Sequence, residues 1–192
     1  MKVQLTVKDV ISPSPFRSLA GIEYFDFEEE FMESNMRCIP MIVRFKMDNA
    51  GIKLKLSEWS ALNQQERFAL ALKSCSSEDE IKDYHDYLAA LVRKYTGKEP
   101  TLIPAGKEPL ADNWERIPEE LAEKAGSFHC VIPGEKWQQL TILQRYALLK
   151  LCRPGHENKN FPKAMKEFGV LGTAPIFMNG HDGHYKPDER IV

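Results

Sequence analysis

The clearest pattern along the chain is a helical stripe. Ile81, Tyr84, Leu88, Leu91, Val92 and Tyr95 recur three or four residues apart and trace one face of a helix running to Gly97. Ser77-x-x-Glu80 opens it with a capping box, in which each side chain satisfies an orphan amide of the other residue. The same device stands at Asn63-x-x-Glu66 and Thr141-x-x-Gln144, which predicts helices over about 64–73 and 142–152. A shorter helix is expected after Asn160 as cap, with Pro162 early and Ala164, Met165 and Phe168 packing before Gly169. Upstream, Glu28, Glu29 and Glu30 lie among Phe25, Phe27, Phe31 and Met32. This suits a short helix within 26–35 carrying carboxylates in its first turns, where the helix dipole favours them. Val3, Leu5 and Val7 alternate as in a short strand, before Ser12-Pro13-Ser14-Pro15 breaks any regular structure.

Residues 41–48 are ambiguous in isolation, because Met41, Val43, Phe45 and Met47 alternate with Ile42, Arg44, Lys46 and Asp48 as in a strand. An internal repetition decides between the two periods. Residues 39–72 align without a gap on residues 117–150, at a spacing of 78. Ile39-Pro40 meets Ile117-Pro118, Trp59 and Leu62 meet Trp137 and Leu140, and Arg67, Ala69 and Leu70 meet Arg145, Ala147 and Leu148. The counterpart of the ambiguous stretch, 118–126, is rich in helix formers. Both are therefore expected to be helices, with Pro40 and Pro118 near the first helical position and Gly51 and Gly126 just past the ends. The extended-looking stretches 52–56 and 129–133 follow, and their pairing with each other predicts a small antiparallel ribbon.

A fixed-period array needs three or more repeats, so two copies argue for a closed domain. The expected fold is mainly α: two pseudo-twofold-related helical units from an internal repeat, with a small two-stranded β-ribbon. Residues 1–24 are expected to form an extension, 25–172 a single helical domain with units at about 26–97 and 112–170, and 173–192 a tail. Pro100, Pro104, Gly106 and Pro109 mark 98–113 as the linker. Trp59 and Trp137 are expected in equivalent core positions. Arg67 and Arg145 either bond within their own units or reach across to the other.

Composition narrows the function classes. With 192 residues, 43% hydrophobic and 28% charged, the chain has the makeup of one globular domain. Its net charge of −2 and interleaved Lys, Arg, Asp and Glu give no basic stripe for nucleic acid. No apolar run approaches the roughly 20 residues that span a bilayer. The start, Met1 to Asp9, is too broken by polar residues for a signal peptide. The four cysteines are far apart and form no CxxC, which suits reduced, mostly buried thiols. A cytoplasmic protein is expected, without nucleic-acid or membrane partners.

Candidate chemistry is sparse. His181-Asp182-Gly183-His184 and His129-Cys130 offer metal ligands, but neither matches HExxH or paired CxxC, and a Gly-flanked tail does not pre-organise a site. No metal or cofactor is expected. Cys38 stands before a helix N-terminus that would lower its pKa, with His85 and His156 as possible bases; a buried structural thiol is the simpler reading. GxSxG, P-loop and GxGxxG patterns are absent, so no enzyme is expected. The stretch most like a recognition site is Arg153 to Phe161, a polar segment containing His156, Glu157 and Asn158 that interrupts the repeat.

The run Arg37 to Asp48, then Gly51-Ile52-Lys53-Leu54 and Trp59, resembles the opening of the nitrate reductase-associated protein family. Trp137-x-x-Leu140, Gln144 to Leu148, Gly155-His156-Glu157-Asn158, Asn160-Phe161 and Glu167-Phe168-Gly169 extend the likeness over about 25–170. The resemblance implies a small non-catalytic accessory protein of nitrate-assimilating bacteria, needed for activity or maturation of a cytoplasmic molybdenum-dependent nitrate reductase. It implies no catalytic residues. The residues singled out for partner contact are His156, Glu157, Asn158 and Arg153, with Arg44, Lys46 and Arg145. The alternative is an anion-binding protein or unrecognised enzyme, with a cleft between the repeats lined by His156, Arg44 and Arg145.

Overall fold

The computed structural model describes residues 14–29, 38–104, 115–153 and 159–173, and its helix boundaries follow from capping chemistry. Asn63 Oδ1 accepts from the Glu66 amide and Glu66 Oε2 from the Asn63 amide, both at 2.9 Å. Thr141 and Gln144 exchange the same pair at 3.1 and 3.0 Å, and Ser77 with Glu80 at 3.3 and 3.1 Å. Two donors that would be orphaned at each N-terminus are thereby satisfied. At the far end of the long helix, Gly97 adopts φ +67°, a left-handed cap that a Cβ would strain.

The elements in chain order are α1 (Met41–Asn49), β1 (Ile52–Lys53), α2 (Leu56–Ala61), α3 (Gln64–Leu72), α4 (Glu78–Thr96) and β2 (Thr101–Leu102). They continue with α5 (Glu119–Gly126), β3 (Cys130–Val131), α6 (Gly134–Gln139), α7 (Ile142–Cys152), α8 (Phe161–Glu167) and β4 (Gly172–Thr173). The chain is mainly helical with very short antiparallel strands, as its pattern predicts. The alternation at 41–48 is overridden in favour of helix, and the side chains at 41, 43 and 47 are buried. Pro40 and Pro118 sit at the cap, one position ahead of the expected one.

The ribbon differs from expectation. Residues 52–53 and 130–131 do not pair with each other; β1 pairs with β2, Ile52 opposite Leu102, and β3 pairs with β4, Cys130 opposite Thr173. Strands are recruited from segments read as linker and tail, because each short strand meets the return of its own chain segment before it can reach the other half. The helix ends differ too. Gly126 lies inside α5, and the left-handed position that Gly51 fills at φ +68° is held in the second half by His129 at φ +56°. A side chain there costs roughly 1–2 kcal/mol relative to the favoured backbone regions.

The helices α2 and α6 escaped the pattern analysis, since each is only a short turn around a tryptophan. Trp59 and Trp137 are fully buried, and each anchors its own apolar cluster. In the first cluster Phe16 stacks on Trp59 at 6.2 Å and meets Phe68 edge-on at 5.4 Å. Phe16 lies within the stretch expected to be an extension, yet it is completely buried, so residues 14–24 contribute to the domain core. Of the expected helix at 26–35, the described residues show a 3-10 turn at Asp26–Glu28 followed by Glu29 in helical conformation, residues 30–37 lying outside the described ones. Phe25 and Phe27 of this turn pack against Phe168, in the second cluster.

Replacing Trp59 or Trp137 by alanine should cost about 3–5 kcal/mol, the range for a large core aromatic. Denaturant unfolding of the two variants checks this, and an unchanged midpoint would remove the tryptophans from the core. His129→Gly should instead stabilise the chain by about 1 kcal/mol, read as a raised melting temperature.

Candidate functional site

Two of the residues singled out for partner contact make hydrogen bonds to carbonyls within the fold. Arg145 is buried, with Nε donating to Trp137 O at 3.1 Å and Nη2 to Gln138 O at 2.9 Å. Its guanidinium lies 5.6 Å from the Trp137 ring centre. Arg67 repeats this arrangement on Trp59 O, Ser60 O and the Trp59 ring. Each arginine thus bonds within its own unit, capping the carbonyls at the end of the short tryptophan helix. Lys46 is committed as well: half-buried, it donates from Nζ to Ala71 O at 2.5 Å and Lys73 O at 2.8 Å, closing the end of α3. Burial pulls its ammonium below the ordinary lysine range.

Arg44 and Arg153 come together. Both line a cavity of about 260 Å³ where α1, the β1–β2 ribbon and the end of α7 meet. Ile39, Met47, Leu54 and Ile103 give it apolar walls, and Lys53, Lys150 and Asp48 complete the lining. Asp48 Oδ2 accepts from Tyr146 Oη at 2.7 Å and from Lys150 Nζ at 2.5 Å, which ties α1 to α7. Arg44 is held at its stem by donation from Nε to Ile39 O at 2.9 Å. Arg44 belongs to the lining of this cavity and Arg145 does not. His156, Glu157 and Asn158 lie outside the described residues.

Lys53, Asp48 and Lys150 are not among the residues singled out from the sequence for partner contact. A signal for them lies in the alignment of 39–72 with 117–150. At the spacing of 78, Arg44 faces Ala122, Asp48 faces Gly126, Lys53 faces Val131 and Lys150 faces Leu72. Of the charged lining, Arg44, Asp48, Lys53 and Lys150 stand where the two aligned segments differ, while the Trp–Arg pairs stand where they agree.

A second feature of the seam is Glu28, which is 4% exposed. Its Oε1 accepts from the Met41 amide at 2.8 Å, capping α1, and its Oε2 from the Phe25 amide at 3.3 Å. Burial pushes this carboxyl up to about 7, against the opposing pull of the two amides and of Arg44. Glu167 of α8 accepts from the Asp26 and Phe27 amides at 2.7 and 2.9 Å, tying the same turn to the second half.

Cys75 and Cys152 are not set up as nucleophiles. Burial raises Cys75 to about 11 and Cys152 to about 12, where the thiolate is scarce at neutral pH. Cys38 is half-buried against the first cluster, and His85 places Nδ1 2.8 Å from Ala50 O, a carbonyl that requires a protonated Nδ1. Among the described residues no group of three or more His, Cys, Asp or Glu is placed to hold a metal ion, and no helix is long and apolar enough to cross a membrane. The His181–His184 stretch lies outside those residues.

What fold and site define is a mainly helical protein with two tryptophan-centred cores and a charged cleft at the seam between them. The chain belongs to the family described as conserved nitrate reductase-associated protein, whose model matches residues 24–168. No curated protein and no solved structure matches it.

The Glu28 carboxyl makes stability depend on pH. A carboxyl that holds its proton more tightly folded than unfolded stabilises the fold fully below the ordinary value of 4.5, and this contribution is lost as pH rises through about 7. The loss is on the order of 3 kcal/mol. Glu28→Gln, which cannot ionise, should flatten the stability profile across that window. Denaturant midpoints measured between pH 4 and 8 check this; equal slopes in both proteins would show that Glu28 ionises normally.

Proposed function

We propose that this protein is a non-catalytic accessory factor that binds a cytoplasmic, molybdenum-dependent assimilatory nitrate reductase and supports its activity or maturation. The observation that carries this reading is the family match, which spans 24–168 and so takes in both tryptophan units and the seam. The two units are further proposed to be copies of one supersecondary unit. The hydrogen bonds of Arg67 and Arg145, and the capping boxes before them, recur at the 78-residue spacing. On this reading the repeated parts serve the cores, and the contact surface is sought where the copies differ. That points to Arg153 with His156, Glu157 and Asn158, and to Arg44 beside Arg153 in the cleft.

Affinity purification of the tagged full chain from nitrate-grown cells of its host should recover nitrate reductase subunits. Their absence from the eluate, with the bait well expressed, would overturn the reading. The double variant His156→Ala, Asn158→Ala should keep its melting temperature and recover several-fold less of the reductase. Surface changes away from special features usually shift stability within about 0.5 kcal/mol, so binding and folding effects separate. Undiminished recovery would move the contact surface away from this segment.

A further inference from the structure

We infer that residues 23–29 form a proton-linked clasp across the seam, held closed through the Glu28 carboxyl and released when that carboxyl ionises. This is a conformational device of the chain itself. It goes beyond the association with nitrate reductase and needs no partner.

The course of the chain points there first. Phe16 and Tyr24 stack at 6.4 Å in the first core, where Leu19 and Ile22 also pack. The next residues pass to the second core, and Phe25 and Phe27 are buried against Phe168 at 4.8 and 6.0 Å. Carboxylates fasten the crossing. Glu23 accepts from Thr141 Oγ1 at 2.8 Å, and Glu167 of α8 accepts from the Asp26 and Phe27 amides at 2.7 and 2.9 Å. Glu28 accepts from the Phe25 amide at 3.3 Å and from the Met41 amide at 2.8 Å, which holds the start of α1 to the turn. Of these three carboxylates only Glu28 is sealed inside, at 4% exposed.

Enclosure makes this tie depend on a proton. A buried carboxyl that ionises carries its charge away from water, and opening the turn lets water reach it. Burial acts most strongly against the charged form and Glu167 adds to it, while the Met41 and Phe25 amides and Arg44 of α1 act the other way. Within the segment, burial keeps the neighbouring Tyr24 neutral, and Asp26 and Glu29 pair with Arg17 at 2.5 and 2.8 Å. The carboxyl thus titrates at about 7 with the clasp closed and at 4.5 with it open. Opening is insensitive to pH below 4.5, grows as pH rises to about 7, and levels off above that. The interval limits the gain to about 300-fold. The hydrogen bonds of Arg67 and Arg145 to the tryptophan helices include no residue of the segment, so the turn can leave without breaking them.

Native-state amide exchange of the full chain, followed from acid to mildly alkaline pH and corrected for the intrinsic rate, tests the clasp. Protection of the Phe25, Asp26, Phe27 and Met41 amides should fall by up to about 300-fold between pH 4.5 and about 7, then level off. It should stay below that of the Leu70 and Leu148 amides throughout, because those wait for global unfolding. Glu28→Gln, which cannot ionise, should remove the fall. Glu167→Gln keeps an acceptor but removes the neighbouring negative charge, so it should move the levelling to lower pH; a merely structural role would lower protection equally at every pH. A flat wild-type profile, a fall that persists in Glu28→Gln, or turn and core amides exchanging at one rate would each overturn the proposal. So would a folded Glu167→Gln variant whose profile does not move. Should Glu28→Gln fail to fold, the wild-type and Glu167→Gln profiles decide.

Discussion

Arg67 and Arg145 each lie over the face of a buried tryptophan while donating to the last carbonyls of the helix that carries it. Much of the architecture depends on this arrangement. A helix as short as α2 or α6 has more orphan carbonyls than internal bonds and does not persist by propensity. The guanidinium, with donors in a fixed fork, satisfies two of those carbonyls from the next helix and so sets the angle between them. The tryptophan is thereby aimed inward and becomes the centre around which aliphatic and aromatic side chains gather. Lysine could not reproduce the geometry, because it lacks both the planar fork and the stacking face.

The two cores are joined by polar groups along a narrow seam. Ile42 packs against both clusters, and Phe45 meets Tyr146 edge-on at 5.2 Å. Around this apolar contact, carboxylates hold the halves together: Asp48 on Tyr146 and Lys150, Glu28 on the amide that starts α1, and Glu167 on the turn before it. Hydrogen bonds to charged groups contribute more than neutral ones, and their geometry is directional. A junction built this way fixes orientation while leaving an opening where side chains cannot fill the corner. The cleft at the end of α7 is that opening.

Membership of the nitrate reductase-associated family and a charged cleft at the seam are compatible properties. Residues 24–168, the range the family model covers, include the cleft lining in full. The differences between the aligned segments 39–72 and 117–150 offer a physical way to separate scaffold from function. Positions such as Trp59/Trp137 and Arg67/Arg145 agree, and each pair makes the same contacts within its own core. Positions such as Lys53/Val131 and Lys150/Leu72 disagree, and in the first of each pair a charge borders the cleft.

Much of the helical framework was legible in the amino-acid sequence. Capping boxes, the stripe of α4 and the repetition located the main helices and both buried tryptophans, because these signals depend on neighbours a few residues away. The strand partners were not legible, since two-residue strands carry no period of their own and pair by where the chain returns. The carbonyl partners of Lys46 and Arg145 were not legible for a related reason. A long cationic side chain looks the same in sequence whether its head meets solvent or buried carbonyls, and only packing selects between them. Glu28 likewise resembled one member of an acidic run until the fold enclosed it. The sequence by itself determined the longer helices and the two tryptophans at the centres of the cores. The tertiary structure alone decided which charges were consumed by helix ends and which converged on the cleft, because that convergence joins residues about a hundred positions apart, such as Asp48 and Lys150.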